Sequence, residues 1–93
     1  VLELLLAPLS QESRTAFLDR IWGNAKTDME EMLDFLEIYF ACNGSVQAIS
    51  QKLFIHKNTV QYKIKKIAEA TGYDPRKLSD AVLLYLCVRL RKA

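Results

Sequence analysis

Apolar residues recur along the chain at spacings of three and four, whereas the apolar–polar alternation of a strand never persists. This pattern predicts an all-α protein, a small helical bundle. Residues 1–7 are predicted to be the end of an apolar helix that Pro8 stops or bends. Ser10 is the expected N-cap of the next helix, and Gly23-Asn24 its expected end. The apolar positions of that helix are Ala16, Phe17, Ile21 and Trp22.

Thr27-Asp28-Met29-Glu30 has the spacing of a capping box, in which the Thr hydroxyl accepts from the third helical N–H and the Glu reaches back. It predicts a helix over about 28–42. Asn43-Gly44 is expected to end this helix in a left-handed conformation. The apolar stripe comprises Met29, Met32, Leu33, Phe35, Leu36, Tyr39 and Phe40.

Two short helices with a tight join are predicted next, over about 46–53 and about 57–70. Only Phe54-Ile55-His56 separates them, and such a pair is typical of the helix-turn-helix. Ser50 supplies the small residue at the crossing of the two helices. Phe54 stands where glycine is common, at a cost of about 1 kcal/mol or more if its backbone is left-handed. The residues predicted to be buried are Val46, Ile49, Leu53, Ile55, Val60, Ile64 and Ile67.

Ser79 is the expected N-cap of a last helix over about 80–92, whose middle is apolar on every side. Such a helix must be covered. Either it closes the core of the single chain, or it covers a second copy in a homodimer formed through this helix or the N-terminal segment. The residues concerned are Leu83, Leu84, Leu86 and Val88.

With 93 residues, 51% of them hydrophobic, the chain is expected to fold as a small domain. Its longest apolar run, Ala81 to Val88, is shorter than the roughly 20 residues that span a bilayer, and no secretory signal is visible, so we expect a cytoplasmic protein without a membrane partner. Cys42 and Cys87 lack metal-binding spacing and are predicted to be buried thiols, with no cofactor. His56 is the only histidine. Without an acid pair or phosphate loop, the chain is not expected to be an enzyme.

Charge is unevenly distributed along the chain. Residues 1–37 hold eight acidic and three basic residues, whereas residues 38–68 hold five basic residues and no acidic one. A basic stretch of this kind indicates a surface for a polyanion such as nucleic acid. The alternative is an ordinary solvated basic surface.

The second short helix has a polar outer face. At about 100° per residue its apolar stripe points one way, and its lysines and hydrogen-bonding residues point the other. Base contacts are expected from Lys57, Gln61 and Tyr62, whose side chains suit guanine, adenine and thymine edges. Phosphate contacts are expected from His56, Asn58, Thr59, Lys63, Lys65 and Lys66. The alternative, a solvated amphipathic helix, usually carries acids among its lysines, and residues 57–68 have none.

His56, at the start of this helix, has two candidate roles. Its neutral ring would accept from a backbone N–H of the first turn, or it would donate to a DNA phosphate, which the helix N-terminus also attracts.

These residues carry a family resemblance. Ile55-His56-Lys57-Asn58-Thr59-Val60-Gln61-Tyr62-Lys63-Ile64, preceded by Asn43-Gly44-Ser45-Val46, resembles the C-terminal DNA-binding domain of PucR-type transcription regulators, which include the CdaR-like sugar-diacid regulators. That family more often has Arg at Lys57, Gln61 and Lys63. The turn and second helix are also similar to the DNA-binding end of the Fis protein, which implies DNA contact by His56, Lys57, Thr59, Gln61 and Tyr62.

The resemblance implies sequence-specific binding of double-stranded DNA, with the helix over about 57–70 in the major groove. It implies that residues 1–26 are a helical segment leading from an upstream sensory domain, and that residues 27–93 are the helix-turn-helix domain. It also implies dimers on paired half-sites. The alternative function is a helical protein-interaction module that docks through the acidic helix or the apolar ends.

Overall fold

The computed structural model describes residues 11–92, without the side chains of residues 24–26 and 92. In this part of the chain the all-α prediction is confirmed, since it is helical with no strand. The helix predicted over residues 1–7 and the Ser10 cap lie outside the described residues. The elements are α1 (Gln11–Trp22), a 3-10 helix (Gly23–Asp28), α2 (Met29–Ala41), α3 (Val46–Leu53), α4 (Lys57–Thr71) and α5 (Leu78–Lys92).

One hydrophobic core joins the five α-helices. α2 packs along α5, α3 packs on α4, and α1 contacts both α4 and α5. Burial of one large apolar side chain contributes about 1.5–3 kcal/mol to the stability of the fold. The core therefore stabilises α3 and α4 in their positions. The largest side chains that solvent hardly reaches are Trp22, Leu33, Leu36, Ile49, Val60, Ile64, Ile67, Leu84 and Cys87.

The start of α2 differs from the predicted capping box. Thr27 and Asp28 are the last residues of the 3-10 helix, and Asp28, with φ −97° and ψ 0°, makes no side-chain cap hydrogen bond. A capping side chain usually needs an extended backbone, which a residue inside a helical turn lacks. The capping-box prediction is therefore wrong, although α2 occupies most of the predicted range. The helix α1 ends before Gly23, as predicted, and Gly23-Asn24 begins the 3-10 helix.

The left-handed stop after α2 is confirmed. Asn43 and Gly44 have φ of 55° and 75°. A Cβ on Gly44 would lie 3.2 Å from the Tyr39 hydroxyl oxygen, so close packing as well as backbone conformation favours glycine here. The Tyr39 hydroxyl donates to the Pro75 carbonyl at 3.4 Å and links α2 to the α4–α5 connection.

The start of α5 also differs from the prediction. The helix begins at Leu78, and the Ala81 N–H donates to the Lys77 carbonyl at 2.7 Å. Ser79 therefore lies in the first turn, and its prediction as the N-cap is wrong. The connection before the helix is organised by carboxylates instead, because Asp80 Oδ2 accepts from the Asp74 N–H at 3.1 Å.

The inner side of α5 completes the core of the single chain. Leu84, Cys87 and Val88 are buried, while Leu78 and Val82 are exposed near the start of the helix. Burial raises the pKa of the Cys87 thiol to about 11. The prediction of a buried thiol is confirmed for Cys87, but Cys42 is only half-buried.

Arg91 links the end of α5 to the acidic surface of α2. Its Nη1 donates to Asp34 Oδ1 at 2.7 Å and to Glu30 Oε2 at 3.2 Å. Its Nη2 donates to Glu37 Oε2 at 3.2 Å. The Arg91 side chain is only 14% exposed, so this ion-pair network spans two elements at the edge of the core.

Candidate nucleic-acid interface

The helix-turn-helix consists of α3, the turn 54–56 and α4. Ser45 begins α3 as its N-cap, since its Oγ accepts from the Ala48 N–H at 3.2 Å. At the end of α3 the Ser50 carbonyl accepts from the Ile55 N–H at 3.1 Å. The apolar residues between the two helices pack as predicted. Ile49, Val60 and Ile64 are buried, with Val46, Leu53 and Ile55 packed against them.

Phe54 caps the C-terminus of α3 in a left-handed conformation, with φ 58° and ψ 43°. Its side chain is 93% exposed. The ring therefore gains little from packing, while its backbone occupies a region that suits glycine.

His56 is the N-cap of α4. Its Nδ1 accepts from the Asn58 N–H at 3.0 Å, and its carbonyl accepts from the N–H groups of Thr59 and Val60. A ring nitrogen that accepts a hydrogen bond carries no hydrogen, so the neutral ring has its hydrogen on Nε2. The structural role considered from the sequence is present, and it leaves the Nε2–H available as a donor to another partner.

The outer face of α4 is arranged as the helical spacing predicts. Val60, Ile64 and Ile67 form the buried stripe. Lys63 is half-buried at the edge of that stripe. The exposed residues are Lys57, Asn58, Thr59, Gln61, Tyr62, Lys65, Lys66 and Glu69.

A groove between α2 and α4 brings acidic and basic residues together. Asp28 and Glu31 line one wall, and Lys63 and Lys66 line the other. The remaining lining is mostly apolar, from Met32, Phe35, Tyr62 and Ile67. Sequence reasoning did not place the two carboxylates beside α4, because they lie more than 30 residues before Lys63 and Lys66 in the chain, and no local pattern connects the two segments.

Residues 11–92 contain no group of three or more His, Cys, Asp or Glu side chains arranged to hold a metal ion. Within the same part of the chain, none of the helices has the length and apolar character needed to cross a membrane.

Comparison with known proteins gives several matches. The profile of the PucR C-terminal helix-turn-helix domain matches residues 32–90, from within α2 to near the end of α5. An uncharacterized protein of Mycobacterium tuberculosis is 42% identical over 53 residues, which are 57% of this chain and 13% of that protein. The carbohydrate diacid regulator of Escherichia coli is 40% identical over 55 residues, 59% of this chain and 14% of the regulator.

The proline-responsive transcriptional activator PutR of Bacillus subtilis is 40% identical over 62 residues, 67% of this chain and 15% of the activator. The matched part is thus between 13% and 15% of the length of these three relatives. No solved structure matches this chain.

Proposed function

Because this chain belongs to the family of the PucR C-terminal helix-turn-helix domain, we propose that it binds double-stranded DNA sequence-specifically as the output module of a transcription regulator. In this proposal α4 enters the major groove and α3 braces it against the DNA backbone. The two named relatives are a regulator and a transcriptional activator, which supports the same role.

The observation that carries the proposal is the outer face of α4. Its exposed side chains from Lys57 to Lys66 are hydrogen-bonding or basic, and the first carboxylate of the helix is Glu69. A solvated helix gains stability by pairing lysines with acids one turn away, whereas residues 57–68 contain no acid and only Lys65 and Lys66 have one within a turn, at Glu69. The major groove admits a helix whose outer residues carry donors and acceptors.

The assignment of contacts follows from side-chain chemistry. Gln61 presents an amide that bonds adenine at two positions, Lys57 reaches guanine O6 and N7, and the Tyr62 ring packs on a thymine methyl. These three residues are proposed to read bases. Contacts with phosphates are proposed for His56, Asn58, Thr59, Lys63, Lys65 and Lys66.

His56 serves both of its candidate roles in this proposal. Nδ1 caps α4 through the Asn58 N–H, and Nε2–H donates to a phosphate. The cap supports the second role because it selects the tautomer that has its hydrogen on the outer nitrogen.

The proposed regulator is longer than this chain. We propose that a sensory domain lies upstream of this chain, in the region that corresponds to the unmatched part of the relatives. We also propose that the regulator binds paired half-sites as a homodimer in the cytoplasm. The exposed Leu78 and Val82 on α5 support a dimer contact through the last helix. The other candidate for that contact, the N-terminal residues 1–9, lies outside the described residues.

The test begins with selection of a preferred duplex from random sequences by the purified chain. Gln61→Ala should then weaken binding to the selected duplex by about ten-fold, with a much smaller effect on random DNA, because a bidentate base contact contributes about 1–3 kcal/mol. Gln11→Ala, at an exposed glutamine of α1, is the matched control.

Equal losses on both duplexes would assign Gln61 to the DNA backbone. Absence of any salt-sensitive DNA binding would reject the proposal and favour the protein-interaction module, because phosphate contacts make affinity fall steeply as salt rises.

A further inference from the structure

The two flanks of α4 have different electrostatic surroundings. On one flank, Lys63 and Lys66 share a groove with Asp28, the last residue of the 3-10 helix, and with Glu31 in the first turn of α2. No ion pair within 4.0 Å joins these groups, so the carboxylates lie beside the two lysines without direct pairing.

The opposite flank carries Lys57 and Lys65. At about 100° per residue, Lys57 and Lys65 point within about 80° of each other, and Lys65 points about 100° away from Lys66. The helix α3, which packs on α4, contains Lys52 and no carboxylate. Glu69 follows Lys65 by four positions and Lys66 by three, so it influences both lysines and does not distinguish the flanks.

We propose that Asp28 and Glu31 form an acidic border that keeps DNA phosphates away from the Lys63–Lys66 flank of α4 and directs the DNA backbone to the Lys57–Lys65 flank. This inference rests on the proposed DNA binding and narrows its phosphate contacts, because it weakens or removes those assigned above to Lys63 and Lys66 and keeps the one assigned to Lys65. A phosphate that approaches Lys66 also approaches the two carboxylates that line the same groove, and their like charges oppose contact. The acidic border thereby sets the orientation of α4 in the major groove of the DNA.

The consecutive residues Lys65 and Lys66 provide a matched pair for the test. The affinity of each alanine variant for a random-sequence duplex is measured from about 50 to about 200 mM salt. The salt slope, which is the slope of the logarithm of the binding constant against the logarithm of the salt concentration, is compared with that of the unchanged chain. Lys65→Ala should reduce the slope by about 0.9, the value for one lost phosphate contact. Lys66→Ala should change it much less.

Neutralising the border is the second arm. Glu31→Gln should tighten DNA binding by about two- to five-fold, and in that background Lys66→Ala should cost more affinity than it does alone. Glu12→Gln, at an exposed acid of α1 outside the groove, changes the net charge equally and controls for long-range attraction. Circular dichroism confirms that each variant is folded.

Equal slopes for Lys65→Ala and Lys66→Ala, or equal gains from Glu31→Gln and Glu12→Gln, would overturn the inference while leaving DNA binding intact. If the unchanged chain shows no salt-dependent DNA affinity, the proposed function itself fails, and the two failures are thus distinguished.

Discussion

Replacement of Phe54 by glycine should stabilise the protein. The Phe54 backbone is left-handed, with φ 58° and ψ 43°, and this conformation costs a residue with a Cβ about 1–2 kcal/mol. Glycine avoids this cost, but its greater freedom in the unfolded chain takes back about 0.4–1 kcal/mol. Because the Phe54 side chain is 93% exposed, little packing is lost. We therefore expect Phe54→Gly to raise the free energy of unfolding by about 1 kcal/mol.

For a domain of this size, 1 kcal/mol corresponds to a rise in Tm of about 4–8 °C. Thermal and urea unfolding followed by circular dichroism would measure it. Phe54→Ala is the control, because it removes the ring but keeps the Cβ and the left-handed cost, and its stability should stay near that of the unchanged chain. Asn43→Gly, at φ 55°, should gain less, since asparagine tolerates this conformation.

The reasoning would be refuted if Phe54→Gly were no more stable than Phe54→Ala. That result would show that the backbone conformation at this position does not limit stability.

Three further predictions test other contacts. His56→Asn keeps a capping acceptor, so it should leave stability nearly unchanged while weakening DNA binding about ten-fold. His56→Gln should keep an outer N–H but lower the free energy of unfolding by about 1 kcal/mol. Equal stability of the two variants in urea unfolding would contradict the capping role. Arg91→Ala should lower the free energy of unfolding by about 1 kcal/mol, because it removes the ion-pair network. Arg91→Lys should lower it by less, since lysine keeps the charge but lacks the forked geometry of arginine. An unchanged urea midpoint at low salt would show that the network contributes nothing to stability. Burial raises the pKa of the Cys87 thiol to about 11, so the fold disfavours the thiolate, and stability should fall as pH rises from about 9 to about 11. Cys87→Ala should reduce that fall in stability. An identical pH profile of stability for the variant and the unchanged chain would count against a role of the Cys87 thiol.

Local sequence determined the helix-turn-helix itself. The predicted range of about 46–53 for the first helix agrees with α3 (Val46–Leu53), and α4 (Lys57–Thr71) extends one residue beyond the predicted range of about 57–70. The reason is that the helical spacing of apolar residues, and Gly72 at the end of α4, act within a few residues of chain. The same spacing correctly identified the outer face of α4, and the assignment of its residues to bases and phosphates stays a prediction.

Tertiary structure decided the features that depend on how the chain enters an element. Thr27 and Ser79 have the residue types of N-caps, yet neither caps a helix, because a cap requires an extended backbone and each of them lies inside a helical turn. Residue type alone does not specify that backbone conformation. It depends on how the preceding segment packs.

Contacts between distant segments were also decided only by the fold. Asp28 and Glu31 line a groove with residues of α4, and Arg91 pairs with the acids of α2 from the other end of the chain. Sequence reasoning identified an acidic front and a basic middle but not which acids face which bases, because that choice depends on burying the apolar stripes of α2, α4 and α5 in one core. The packing of those stripes sets the rotation of each helix, and the rotation sets which charged side chains meet.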